Sequence, residues 1–451
     1  MSSTIEAPKN TRVIDTEMSL KERIIRGFSW LFAGQVMTQG IRFATNLILT
    51  RLLLKSDFGL MALVNAVIIS VTLFSDVGIR DVAIQNKRGD EADFLNTLRT
   101  IQIIRGIIIW AVIAISSPFL AMFYDEPAII GLLLLVGLGP LIRNCSSTSI
   151  LTAQRKMIPR WIEVAEITGL IVASLVMIAL AYFTHSVWSL AIGTVLNGVV
   201  YMVISYNYKH GITNQLKWDK EAVKAVSHYG RWIIPSSILT IFMLQGDRLI
   251  LGAIMSKDTL GLYSIGVTLG SLTLPIFHQL MLRILQPVYA GTIGQSPAVF
   301  RSKVRRLRLG LLAALLLPAW VLMIGSKWIV ELLYPEAYFN AAFFCSVAAL
   351  GMSLKLATDM GPVYTGLGIP KIHFRLTVVQ VVSLATAIAI GYAITGDHIG
   401  IVMGISTSCL LGYPIHAYLY NKVGFWFPEI DFTVIAASFS LFAMFYYVIW
   451  T

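Results

Sequence analysis

In this chain of 451 residues 56% are hydrophobic and 13% charged, with a mean hydropathy of +0.74, which excludes an ordinary soluble domain of this size. A net charge of +11 would suit nucleic acid if it were gathered on one face, but the 35 lysines and arginines are spread over many short segments. No joint between apolar segments is long enough for a soluble catalytic domain, and no Gly-x-x-x-x-Gly-Lys-Ser/Thr loop points to an ATP-driven pump.

A helix needs about 20 largely apolar residues to cross the hydrocarbon core. Six such stretches come first, at 27–52, 58–79, 100–123, 128–150, 161–183 and 187–207. Six more follow at 231–254, 259–287, 307–333, 340–365, 374–395 and 398–420, and a thirteenth at 431–450. The predicted fold class is therefore an all-α polytopic membrane protein. It is divided into a cytoplasmic tail (1–26), an N-lobe (27–207), an inter-lobe linker (208–230), a C-lobe (231–421) and an accessory span (431–450). The polar first 20 residues lack the apolar core of a cleavable signal, so the first span is expected to direct insertion.

The joints alternate in charge. One face collects 25 lysines and arginines, from Lys9 and Arg12 in the tail to Lys422; the other has Arg51, Lys55, Lys257 and Lys327. Short basic loops stay on the cytoplasmic side, which predicts a multi-pass protein of the bacterial inner membrane with residue 1 in the cytoplasm. The odd span count puts Thr451 in the periplasm. Trp30, Trp161, Trp188, Trp232, Trp328 and Trp450 fall near span ends, where an amphipathic ring suits the interface.

At an offset of 202 residues, Leu47-Ile48-Leu49 matches Leu249-Ile250-Leu251, Lys55 matches Lys257, and Gly59-Leu60 matches Gly261-Leu262. Six spans separate the copies, an even number, so the two lobes share one orientation. They are expected to be a parallel repeat about an axis along the membrane normal, with a central cleft between them.

The run Ser56-Asp57-Phe58-Gly59-Leu60, continuing to Leu73-Phe74-Ser75-Asp76-Val77-Gly78-Ile79 and Ala83-Ile84-Gln85, resembles the signature of bacterial polysaccharide exporters. Gly246-Asp247-Arg248-Leu249-Ile250-Leu251-Gly252 with Leu260-Gly261-Leu262-Tyr263-Ser264 resembles its second-half counterpart. These exporters are the O-antigen and exopolysaccharide flippases of the multidrug/oligosaccharidyl-lipid/polysaccharide exporter superfamily, and the resemblance covers spans 1 to 12. It implies a transporter and not an enzyme. The expected activity is translocation of an undecaprenyl-pyrophosphate-linked oligosaccharide from the cytoplasmic to the periplasmic leaflet by alternating access. The expected partners are that lipid-linked substrate, membrane lipids and polysaccharide polymerase machinery; no cofactor is expected beyond Na+ or H+ coupling. Such families commonly have 12 or 14 spans, and 13 is a departure.

An ionised side chain near the bilayer centre costs on the order of 3 kcal/mol and so faces a partner or a wet cavity. Arg42 lies in span 1, Arg105 in span 3, Arg143 in span 4, Asp247 and Arg248 in span 7, Arg283 in span 8, and Lys355 with Asp359 in span 10. Arg143 and Lys355 hold nearly equivalent places in the fourth helix of each lobe. One reading makes Arg42, Arg248, Lys355 and Arg143 a cationic cleft for a pyrophosphate and acidic sugars, guanidinium being suited to bidentate phosphate binding. The other pairs charges locally: Lys355 and Asp359, at i and i+4, can meet on one helix face, while Arg105, Arg143 and Arg283 can snorkel to the interface.

Asp76, Glu163 and Glu166, with Asp247 and Asp359, are candidates for coupling or charge pairing. His416 reads as a packed histidine. Prolines at 140, 235, 275, 318, 362 and 414 predict kinks. Cys145, Cys345 and Cys409 stand apart, with no metal-ligand or redox spacing. Two alternatives fit less well. A cation-coupled multidrug antiporter would want an acidic cleft, and a membrane glycosyltransferase or polymerase would want a large outward loop.

Overall fold

The computed structural model of the chain describes residues 20–156, 159–207, 214–280, 297–359, 370–424 and 426–450; among them there are helices and no strands. The N-lobe comprises α1 (Leu20–Leu49), α2 (Lys55–Phe74), a short α3 (Ile79–Gln85), α4 (Ala92–Phe123), the fragments α5 (Ala128–Val136), α6 (Leu138–Asn144) and α7 (Ser149–Arg155), then α8 (Pro159–Thr184) and α9 (Trp188–Asn207). The C-lobe comprises α10 (Lys220–Gly252), α11 (Lys257–Gly270), α12 (Thr273–Leu280), α13 (Pro297–Leu333), α14 (Ala341–Thr358), α15 (Pro370–Thr395) and α16 (His398–Val423), and α17 (Pro428–Trp450) closes the chain.

Among the described residues eleven helices, with α11 and α12 counted together, are long and apolar enough to cross a membrane, and α5 to α7 form a twelfth, broken span. The remaining expected span is α1, which is 30 residues long but less apolar. Gln35, Thr38, Gln39, Arg42, Thr45 and Asn46 stud its second half. Several helices outrun the expected spans. Most notably, α10 begins at Lys220, inside the joint expected over 208–230. Asp219 caps it by accepting the Glu221 N–H, and Ala222 and Val226 bury against Ile79, Val82, Phe94 and Leu98 of the N-lobe. That burial carries the helix beyond its membrane segment.

Pro235, Pro318 and Pro414 lie inside helices that run through them, whereas Pro275 follows the break between α11 and α12 and Pro140 the junction of α5 and α6. Pro362, Arg283 and Thr451 fall outside the described residues. The sharp break lies instead in span 4, where the two pieces meet at 64° across residues 145–148. No proline is there. Ser147 N–H donates to Ser205 Oγ at 2.9 Å, Thr148 N–H donates to Asn214 Oδ1 at 2.8 Å, and Ser146 Oγ donates to the Arg143 carbonyl at 2.7 Å. Side chains thus take over backbone groups that the interrupted helix leaves free.

At the cation-poor end one apolar core takes in both lobes, joining Leu49, Leu63, Ile113 and Leu132 to Leu251, Leu262, Tyr263 and Phe344. Toward the basic end the core divides into a C-lobe cluster around Phe277, Leu315, Leu356 and Tyr420, an N-lobe cluster around Tyr201, and a cluster around Phe94 that takes in Ala222 and Val226 of α10. The lobes are therefore fused through one large core at the cation-poor end, and at the basic end they meet along α10, where Gly230 packs on Val77 and Gly78 on Tyr229 and Ile233. Cross-lobe hydrogen bonds reinforce the fused end: Tyr338 Oη to the Leu53 carbonyl at 2.8 Å, Tyr334 Oη to Asn46 Oδ1 at 3.1 Å, Arg51 Nη2 to the Leu333 carbonyl at 3.0 Å, and Tyr124 Oη to the Leu249 carbonyl at 3.2 Å. Burial pushes the Tyr338 phenol above its ordinary range, so it stays a donor. At the basic end contacts reach the N-lobe through the linker and the start of α10. Arg88 pairs with Asp219 at 2.8 Å and Glu221 at 2.9 Å, and Gln85 donates to Tyr229 Oη at 3.2 Å.

The last helix is fastened to the C-lobe by charge. Arg308 of α13 and Asp431 of α17, each 1% exposed, form an ion pair, and Arg308 also donates to the Ala357 carbonyl. Tyr413 Oη donates to Asp431 Oδ2 at 2.7 Å, and Trp426 Nε1 donates to Tyr413 Oη at 3.1 Å. This network was not legible in the basic run 301–308, which reads as a solvated cytoplasmic joint.

Candidate substrate cleft

The intramembrane cations fall into two groups. Arg143, on α6, is neutralised within its own lobe: it donates to Glu166 of α8, and its guanidinium stands 3.9 Å from the Tyr201 ring centroid. Arg105 reaches the end of α2. It donates to the Thr72 carbonyl at 2.8 Å and to Ser75 Oγ at 3.2 Å, and lies 3.8 Å from Asp76. A cation there satisfies the carbonyls at the C-terminus of α2. Asp76 in turn accepts the Gly78 N–H at 3.0 Å, so it belongs to the α2–α3 turn.

Arg42, Arg248 and Lys355 form the other group. None of them has an ion pair among the described residues. Arg42 is exposed on α1, about 10 Å from its cation-poor end by helical rise. Arg248 is half-buried one turn from the end of α10, with only a 3.5 Å contact to Gln245 Oε1 of its own helix. Its neighbour Asp247 accepts from Tyr263 Oη at 2.7 Å, and Tyr263 packs edge-on against Phe344 at 5.6 Å. Lys355 is half-buried near the other end of α14, about 20 Å from the first residue of that helix. The expected i, i+4 pair with Asp359 does not form because α14 ends at Thr358, leaving Asp359 in extended backbone. Lys355 and Asp359 both act electrostatically on Cys409 of α16. No hydrogen bond joins any two of the three cations; they mark successive depths along helices of both lobes.

Glu163 of α8 packs against Gly34 of α1, where a side chain would collide with its carboxylate. His416 is buried beside Tyr420, with 3.4 Å between Nδ1 and Oη, as a packed histidine should be. Among the described residues no group of His, Cys, Asp and Glu could hold a metal ion. Trp161, Trp188 and Trp328 are exposed near helix ends, as interfacial anchors would be.

Two lobes of membrane-length helices joined through a shared core form an architecture that solved membrane transporters also have. The lipid II flippase MurJ in an inward closed conformation matches with a TM-score of 0.67 and 12% identity, over 95% of this chain and 93% of that one. An inward-facing multidrug resistance MATE family transporter matches at 0.57 and 14% identity, over 94% and 97%. At such identities the likeness concerns the fold. The family described as polysaccharide biosynthesis protein matches residues 48–342, more than half of the chain, and the chain belongs to that family. The lipopolysaccharide biosynthesis protein WzxC of Escherichia coli (strain K12) is 23% identical over 403 residues, 86% of this chain and 78% of the relative.

Proposed function

We propose that the protein is a flippase carrying an undecaprenyl-pyrophosphate-linked oligosaccharide between leaflets of a bacterial inner membrane, for O-antigen or exopolysaccharide synthesis. Its basic end would face the cytoplasm and its fused end the periplasm, with polysaccharide polymerase machinery downstream. The 25 to 4 division of lysine and arginine supports that orientation. The observation that carries the cargo is Lys355, a half-buried cation with no ion pair among the described residues, while its N-lobe counterpart Arg143 is neutralised by Glu166. A cation placed where it would otherwise be costly suits an anion that arrives and leaves. Arg42 and Arg248, also without an ion pair among the described residues, extend the same chemistry toward the fused end, and a guanidinium can grip a phosphate bidentately.

The test uses purified protein in vesicles with a fluorescent lipid-diphosphate oligosaccharide and an impermeant quencher. The expected result is protein-dependent loss of protection, much slower when the diphosphate is replaced by an uncharged linkage. Equal rates for both lipids, or none above protein-free vesicles, would refute the proposal.

A further inference from the structure

We infer that the crossing of α2 and α11 at Gly59 and Gly261 is the seal that must part for cargo to leave at the cation-poor end, with Lys55 and Lys257 as its two latches. This rests on the transport proposal above. The internal repeat becomes a reciprocal contact here. A Cβ on Gly59 would lie 2.0 Å from the Lys257 carbonyl oxygen and 2.9 Å from the Gly261 nitrogen. A Cβ on Gly261 would lie 1.9 Å from the Lys55 carbonyl oxygen and 3.1 Å from the Gly59 nitrogen. Backbone meets backbone, so no side-chain rotation could make room for even a methyl group.

The two lysines flank that crossing, each claimed by an acid of the opposite lobe. Lys55 Nζ is 3.4 Å from Asp258, and Lys257 pairs with Glu126. The two latches differ in which partner is the more buried: Lys55 and Asp258 are 34% and 50% exposed, Lys257 and Glu126 52% and 13%. A contact this close, repeated in both copies and ringed by cross-lobe bonds, can only be made or broken as a unit. Parting the lobes here would open the cleft to the side on which it is now closed.

The experiment uses the full-length chain with Cys145, Cys345 and Cys409 replaced by Ser, carrying Lys55→Cys and Asp258→Cys, in cells lacking the native copy. A short, reducible bifunctional thiol reagent should cross-link the pair and stop surface polysaccharide export by at least tenfold, and reduction should restore it. Single-cysteine variants should be unaffected by the reagent. Cross-linked protein that exports at the untreated rate would overturn the inference while leaving the transport proposal standing. A parent with no export-supporting activity would overturn both. Independently, Gly261→Leu at normal membrane abundance should lose export, and wild-type export by that variant would also sink the seal.

Discussion

The fourth membrane-crossing segment of each lobe carries one cation near the basic end, yet the two meet different fates. Arg143 is held by Glu166 and Tyr201, whereas Lys355 has no ion pair among the described residues. The helices that follow them differ at one position. α8 and α15 are each 26 residues long, begin with proline and end with threonine, so in register Glu166 stands where the C-lobe has Thr377. On the proposed function, one residue type at one register position would separate a cation used by the fold from a cation available to a ligand. A duplicated scaffold can in this way keep its architecture while assigning the binding role to one lobe.

The largest expected effect tests a charge that is wholly internal. Asp431→Ala leaves Arg308 buried without its partner, and such losses cost about 3–5 kcal/mol. A marked fall in the thermal midpoint in detergent is expected. Arg308→Met combined with Asp431→Leu should recover much of it, since apolar replacement of both partners is tolerated where removal of one is not. An unchanged midpoint for Asp431→Ala would mean the pair is wetter than its burial indicates.

Next in size is a transplant of the N-lobe arrangement. Thr377→Glu should supply Lys355 with an acid and reduce export severalfold at normal abundance. If export is untouched, the register argument between α8 and α15 fails.

The converse change should matter less. Arg143→Ala with Glu166→Ala removes a pair whose side chains are 39% and 36% exposed, worth about 1 kcal/mol or less once solvent screening is allowed for, with a further 0.5–1 kcal/mol from the Tyr201 contact. Export should persist; its loss in the double variant would place Arg143 in the binding role.

The smallest effect is expected at Asp397, which caps α16 by accepting the Ile399 and Gly400 N–H groups. A side-chain hydrogen bond to Thr395 and these amides hold its carboxyl below the ordinary aspartate range. The folded state therefore favours the charged form. Its stabilisation is present above the ordinary carboxylate pKa and fades as pH falls through the depressed one. Asp397→Asn should flatten that acid limb of the stability profile slightly. An identical profile would show that the cap contributes nothing measurable.

How much of this was legible follows from the range over which each signal acts. The order of spans and the two-lobe repeat are written in local hydropathy and in the shared Lys-x-x-x-Gly joint, and the structure turns that joint into a contact between its two copies. The equivalence of Arg143 and Lys355 was also visible, because both follow from position within a repeat. Their difference was not. Whether a cation is paired depends on a neighbouring helix, and the i, i+4 spacing of Lys355 and Asp359 suggested a pair that the end of α14 prevents. Arg308 and Asp431 lie 123 residues apart, and nothing local marks either as buried. The break in span 4 is hidden for a related reason: the backbone N–H groups of Ser147 and Thr148 are taken up by side chains on other segments, Ser205 and Asn214.

The central claim is that Lys355, and not Arg143, meets the anionic head group. The most direct measurement compares protein-dependent flipping of a fluorescent lipid-diphosphate oligosaccharide by Lys355→Ala and Arg143→Ala in vesicles of equal protein content. The account predicts loss of nearly all flipping for Lys355→Ala, partial rescue by Lys355→Arg, and near-normal flipping for Arg143→Ala. Normal flipping by Lys355→Ala, or equal losses in both variants, would contradict it.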